Sequence, residues 1–272
     1  MSKSLAMKIL EVIVGHHGDQ RRHRRASTGP TVQRTLDIED FDSVYISGSL
    51  DVEIRTGEAA SLEANGDEAA LDALTIEQHG KRLLLSCEDG ESLEVALTAA
   101  QLREISMDGS GDVSIDSVEG DSFTCALNGC GDLAVDSLAA KAVRVSLTGS
   151  GDLALGKVEA DDIEIGVGGP GDVDIDSLEA AVVRLSLDGP GDVSIGGGSA
   201  ASATIEIGGP GDVNAREFSI ARATVNVDGP GDVEAHVTET AEVEISGPGD
   251  VHLTGGAKCS VRGSGPGEVH CS

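Results

Sequence analysis

Nine acidic residues recur at one place in a repeated four-residue block, and a row of carboxylates is the first candidate for chemistry in this chain. They are Asp112, Asp132, Asp152, Asp172, Asp192, Asp212, Asp232, Asp250 and Glu268, each closing a Gly, any residue, Gly, acid sequence. Stacked at strand spacing, they would form a column with neighbours about 4.8 Å apart. Adjacent carboxylates then repel by roughly 1 kcal/mol in water and several-fold more at a protein-like dielectric. The expected compensation is hydrogen bonding from backbone amides at the corner, as Asp accepts in tight turns. The alternative is a row of cation sites. Calcium takes about six to eight oxygens, and corner carbonyls with Asp108, Asp188 or Asp228 would add to the shell.

Histidines and cysteines are the other groups with reactive potential. His252 and His270 each lie two residues after a corner acid, and His236 lies four after Asp232. All three are expected to project outward on one strand face, where imidazoles on neighbouring strands can converge on a transition metal; solvated side chains are the simpler expectation. The five cysteines show no paired spacing of the zinc or redox kind. Cys125, Cys259 and Cys271 fall at inward positions as small hydrophobes, whereas Cys130 occupies a corner and would be exposed. The odd count argues against a complete disulfide framework and leaves the compartment undecided. Polysaccharide lyases and hydrolases on β-helices gather acids in one groove, but here the acids repeat evenly, and Arg144, Arg184, Arg216 and Arg222 form no distinctive motif. The chain is therefore expected not to be an enzyme, with no catalytic residues and no cofactor beyond the calcium alternative.

The elements that must position these groups follow from the period. Seven blocks begin 20 residues apart from Gly109 to Gly229, and two more follow at Gly247 and Gly265. Between them apolar residues alternate with polar ones, as at Val173, Ile175 and Leu178, then Val183, Leu185 and Leu187. That period-two pattern predicts two short strands and two corners per unit, hence an all-β fold, a parallel β-helix or solenoid with coils of about 20 residues. No unit carries the i, i+3, i+4 pattern of a helical repeat. At the corners, Gly169, Pro170 and Gly171, Gly189, Pro190 and Gly191, Gly209, Pro210 and Gly211, and Gly229, Pro230 and Gly231 each precede an Asp. This spelling predicts a type II turn, Pro at its second position and Gly supplying positive φ at its third.

Three regions are distinguished: a basic, flexible arm over 1–34, worn first coils or a cap over 35–108, and the regular repeat over 109–272. The arm holds seven Lys and Arg against two acids, a net of +5, and the remainder 12 against 46, a net of −34. The body should repel nucleic acid and anionic membrane and attract cations or basic partners. Arg21, Arg22, Arg24 and Arg25 would dock on an acidic surface or anionic lipid. Lys8 and Glu11 interrupt the apolar run Leu5 to Val14, so no secretory signal is recognised, and no stretch is long enough to span a membrane. With aromatic residues at 1%, the core must be a thin one of Val, Leu, Ile and Ala, and ring stacking on sugars has little to draw on. Gly48 to Asp51 (Gly, Ser, Leu, Asp) reads as a worn corner, and its distance of 61 residues from Gly109 is close to three coils.

The run FDSVYISGSLDVEIRTG, then LEANGDEAALDAL, KRLLLS and LEVALTAAQLREISMDGSGDVSI, resembles the putative auto-transporter adhesin, head GIN domain family of bacteria from about Asp40 onward. The resemblance implies a right-handed parallel β-helix and an extracytoplasmic setting, and it carries no catalytic residues to transfer. Taken with the absence of a recognised signal, it leaves cell envelope and cytoplasm as alternative locations. The expected function is a non-enzymatic cell-envelope protein, adhesin-like or scaffold, that acts through its repetitive acidic surface. The alternatives are a structural protein stacking end to end through its solenoid edges and basic arm, and a calcium-binding repeat protein.

Overall fold

The structure, a computed structural model, describes residues 10–13, 31–87 and 93–272. The regular region is a β-solenoid of parallel strands, each lying on its equivalent one coil away. Val113–Leu127, Leu133–Leu147, Leu153–Val167 and Val173–Leu187 pair in register at an offset of 20 residues, so Val113 lies beside Leu133, Leu133 beside Leu153, and Leu153 beside Val173. The column continues through Val193, Val213 and Val233, then steps by 18 to Val251 and Val269.

Each regular coil has three straight runs where the sequence predicts two strands. In the first they are 113–115, 117–120 and 122–127, because residues 116 and 121 have no partner in the next coil. Alternation of buried and exposed residues breaks at the same places, with 116 and 117 and then 121 and 122 all facing outward. Two successive outward residues bend a strand around its own core, and the middle run, with one large apolar residue, is too short to show a period of its own. The inward positions otherwise fall as expected: Val173, Ile175, Leu178, Val183, Leu185 and Leu187 are all buried. Among the described residues no polar or charged residue is buried. Phe123 and Phe218 are the largest fully buried side chains, consistent with a narrow interior of aliphatic residues.

The first coils are stacked out of chain order. Ser43–Gly48 lies between Arg82–Cys87 and Glu104–Met107, and Leu50–Thr56 lies between Leu93–Ala99 and Val113–Leu127. The chain thus leaves its first coil, builds another on the outer side, and returns to continue on the inner side. Gly48 and Gly109 are direct neighbours, with the Ser110 amide donating to the Gly48 carbonyl at 2.9 Å. The 61-residue interval is therefore one step of the stack, not three. The residues between make the outer coil and, with Val32–Leu36, a closure of that end: Val32–Leu36 pairs antiparallel with Ser61–Gly66, Ser61–Gly66 with Leu93–Ala99, and Thr75–His79 with Arg82–Cys87. The helix Glu68–Ala73 joins the closure; Asp67 caps it by accepting from the Ala70 amide at 2.8 Å, and the helix buries Ala70 and Leu71. Leu10–Ile13 pairs antiparallel with Val32–Leu36. Arg21, Arg22, Arg24 and Arg25 lie outside the described residues. No helix of the described residues is long and apolar enough to cross a membrane.

Candidate functional site

The acidic edge begins with the geometry of its corner, which differs from the predicted type II turn. None of the repeat's corner glycines from Gly109 onward has positive φ; among the corners only Gly48, in the worn first copy, does. Inward and outward positions alternate without a break from 122 to 136, so the corner is an extended, bent segment with Gly129 and Gly131 buried and Cys130 and Asp132 exposed. Glycine is required there by proximity. A Cβ on Gly131 would lie 1.9 Å from the Gly111 carbonyl oxygen, and one on Gly171, Gly191, Gly211 or Gly231 would lie 2.0 Å from the equivalent carbonyl of the preceding coil.

Backbone bonding explains why Pro is accepted in the later corners. Where the second position is Ser or Cys, its amide donates to the first glycine of the preceding coil, as Cys130 does to Gly109 at 2.9 Å and Ser150 to Gly129 at 3.0 Å. Where it is Pro that donor is absent. The amide of the following glycine, which shares that acceptor at 3.4 Å in the Cys130 and Ser150 corners, then serves it without the second donor, Gly171 to Gly149 at 3.3 Å and Gly191 to Gly169 at 3.2 Å.

The nine acids do form a column, and each of the first eight joins a two-way clasp with the next coil. The amide of each acid donates to the carboxylate Oδ1 of the acid before it, from Asp132 to Asp112 at 3.2 Å through to Glu268 to Asp250 at 2.8 Å. In return, the residue after each of those eight donates its amide to the carbonyl of the next acid, as Val173 does to Asp192 and Val193 to Asp212, both at 2.9 Å. The carboxylates are thus bonded to amides of the next coil rather than of their own corner. A hydrogen bond to a charged acceptor contributes about 1.5–3 kcal/mol, enough to outweigh the repulsion of roughly 1 kcal/mol between solvated neighbours. The ladder starts one coil earlier than the strict repeat, because Asp112 donates to Asp51 Oδ1 at 3.1 Å. The worn corner Gly48 to Asp51 carried that information, in a copy lacking the second glycine.

Electrostatics at the edge are uneven. Asp174, two residues after Asp172, has its carboxyl held above the usual carboxylate range, first by partial burial and then by the charges of Asp172 and Asp152. Where the edge meets the closed end, a trough of about 570 Å³ opens beside Asp51, Glu94, Asp112 and Asp132, floored by Ala96, Ser114, Ala134 and Ala154. On other faces the arginines that look scattered in sequence bridge coils: Arg144 to Glu164 at 2.7 Å, Arg184 to Asp162 at 2.5 Å, Arg222 to Glu239 at 3.3 Å, and Arg216 to Glu234. These exposed pairs hold register more than they add stability.

Only two of the three histidines come together. His252 and His270 are register partners with stacked rings, centroids 5.0 Å apart. His236 lies one outward position further along its strand, beside Thr254, with its Nδ1 3.1 Å from the Thr254 hydroxyl. Among the described residues no group of three or more His, Cys, Asp or Glu side chains is arranged to hold a metal ion.

The cysteines need a correction. Cys259 and Cys271 do face inward, but they form a disulfide rather than serving as separate small hydrophobes. Cys87 and Cys125 are buried and lie outside the disulfide, and Cys130 is exposed at its corner. Burial pushes the Cys125 thiol up to about 12. A thiolate-selective maleimide should therefore label one site, Cys130, in the native unreduced protein and all three cysteines outside the disulfide after denaturation without reductant. Five labelled sites in the denatured, unreduced protein would contradict the disulfide.

Comparison with known proteins places this geometry. A family model described as "Putative auto-transporter adhesin, head GIN domain" matches residues 40–158 and again 154–257. No curated protein matches. Among solved structures, a putative adhesin from Parabacteroides distasonis is 17% identical with a TM-score of 0.68, covering 90% of this chain and 98% of that one. A putative adhesin from Parabacteroides merdae is 17% identical with a TM-score of 0.67, covering 90% and 97%. A putative lipid binding protein from Parabacteroides distasonis is 19% identical with a TM-score of 0.69, covering 90% and 98%. At these identities the likeness is one of fold.

Proposed function

Since this chain belongs to the putative auto-transporter adhesin, head GIN domain family, we propose that it is a non-enzymatic protein of the bacterial cell envelope, adhesin-like or a scaffold, that presents an acidic surface to basic partners. The observation that carries the reading is the amide-bonded acid column. Its carboxylates are committed coil after coil to holding the stack, so the most conspicuous acids have a structural task and leave a continuous row of carboxylates along one edge. A surface of one sign, repeated at strand spacing, suits extended contact with a cationic partner more than a single reaction. The disulfide supports an oxidising compartment.

Two measurements in cells bearing the protein test this. Fractionation with labelling by a membrane-impermeant amine reagent should recover the protein in the envelope and label it from outside; recovery in the cytoplasm alone would defeat the reading. Binding to immobilised polylysine should weaken steeply with salt, and equal retention on a neutral matrix would remove the role of the acidic edge. Size-exclusion chromatography with light scattering, on the full chain and on a variant lacking residues 1–30, which keeps Val32–Leu36, separates this reading from end-to-end assembly, which requires more than a monomer.

A further inference from the structure

Burial ends abruptly at the outermost described coil, where the disulfide lies. Val261 is in register with Val243, and Val243 with Val225; the latter two are buried, whereas Val261 is 49% exposed. Val269, Cys259 and Cys271 on the same coil are only partly buried. This coil therefore rests on core from one side and lacks the second layer that fixes every regular coil. The two cysteines sit at the ends of two inward columns. Cys259 continues the column Ala223, Ala241, and Cys271 continues the column Ala235, Leu253. Their bond joins Lys258–Gly263 to Val269–Cys271 and closes a loop of 12 residues in sequence separation. Both columns above it remain buried, including Leu253, the direct neighbour of Cys271.

We propose that the Cys259–Cys271 disulfide is a redox latch: oxidised, it holds residues 258–272 in solenoid register; reduced, it releases them and uncovers the coil beneath. The release needs a thiol reductant, here a dithiol. One reductant thiolate attacks a cysteine sulfur, the S–S bond breaks, and its second thiol displaces the mixed disulfide. Two electrons and two protons pass to the protein, leaving two cysteine thiols and a cyclic oxidised reductant. Constraining a loop of this size shifts the local opening equilibrium by a factor on the order of a hundred. Opening exposes Val243, Ile245, Val251 and Leu253, all buried in the latched form. Closure of this end is thereby conditional on an oxidising environment, and the chain before oxidation carries an apolar end that the oxidised chain does not.

Hydrogen exchange read by mass spectrometry tests the latch on the full chain, with Cys130→Ser throughout to exclude cross-linked dimers. Treating the folded protein with dithiothreitol should speed exchange on the order of a hundredfold in peptides covering 258–272, and leave those covering 113–227 unchanged. The double variant Cys259→Ala/Cys271→Ala should show the reduced pattern without reductant. Equal exchange over 258–272 in oxidised and reduced protein would overturn the proposal, as would loss of protection along the whole rod, which makes the bond a global staple. If the double variant fails to fold, reduction of protein already folded still decides.

Discussion

Gly191→Ala is expected to lower the stability of the solenoid by about 3 kcal/mol or more, measured by urea unfolding. The added Cβ would sit 2.0 Å from the Gly171 carbonyl oxygen, 2.8 Å from its carbon and 3.1 Å from the Gly169 oxygen. All three are backbone atoms, so no side chain can swing away. Relief requires two coils to separate by more than an ångström, on the order of what would break the hydrogen bonds between them. Gly57→Ala is the control, because Gly57 has a φ of +90° and nothing within 4 Å of the added carbon. There only the left-handed backbone is penalised, at about 1–2 kcal/mol. If Gly57→Ala proves the more damaging of the two, close approach is not what the corner glycine serves.

Asp192→Ala is expected to cost about 1.5–3 kcal/mol, because it removes the acceptor for the Asp212 amide, bonded to Asp192 Oδ1 at 2.8 Å. The amide then loses the charged acceptor that ties its corner to the preceding coil. Asp192→Asn keeps an oxygen at that reach and takes one charge out of a repelling column, so its stability should stay within about 1 kcal/mol of the parent. Raising monovalent salt should stabilise the parent more than Asp192→Asn, since the parent has more repulsion to screen. Calcium at matched ionic strength should leave the unfolding midpoint of the parent unchanged; a rise abolished by Asp192→Asn would reassign the column to cation binding. Equal stability of parent and Asp192→Ala would remove the amide ladder as a source of stability.

How much of this was legible in the residues depends on the range of the interaction. The inward set, such as Val173, Ile175 and Leu178, is readable because alternation is a property of neighbouring residues and the 20-residue period repeats it. The acid column is readable for the same reason, and so is the need to satisfy it. The donor is not: each carboxylate accepts from an amide one coil on, and local turn chemistry points to the wrong amide. Gly, Pro, Gly, Asp matches the spelling of a type II turn, yet stacking holds these glycines at negative or extended φ and selects them for the absence of a Cβ. The pairing of Cys259 with Cys271 was hidden because an odd number of cysteines and a short separation carry no partner information.

By itself, then, the sequence determined the architecture class, the coil length, which residues face inward, and that nine acids share one edge. The tertiary structure alone decided the order in which the first coils stack, the third side of each coil, the route of the amide ladder back to Asp51, and the closing disulfide. The division has one physical cause. Facing is set by each residue's immediate neighbours along the chain, whereas the strand lying alongside is chosen by burial and hydrogen bonding between segments that chain distance does not rank.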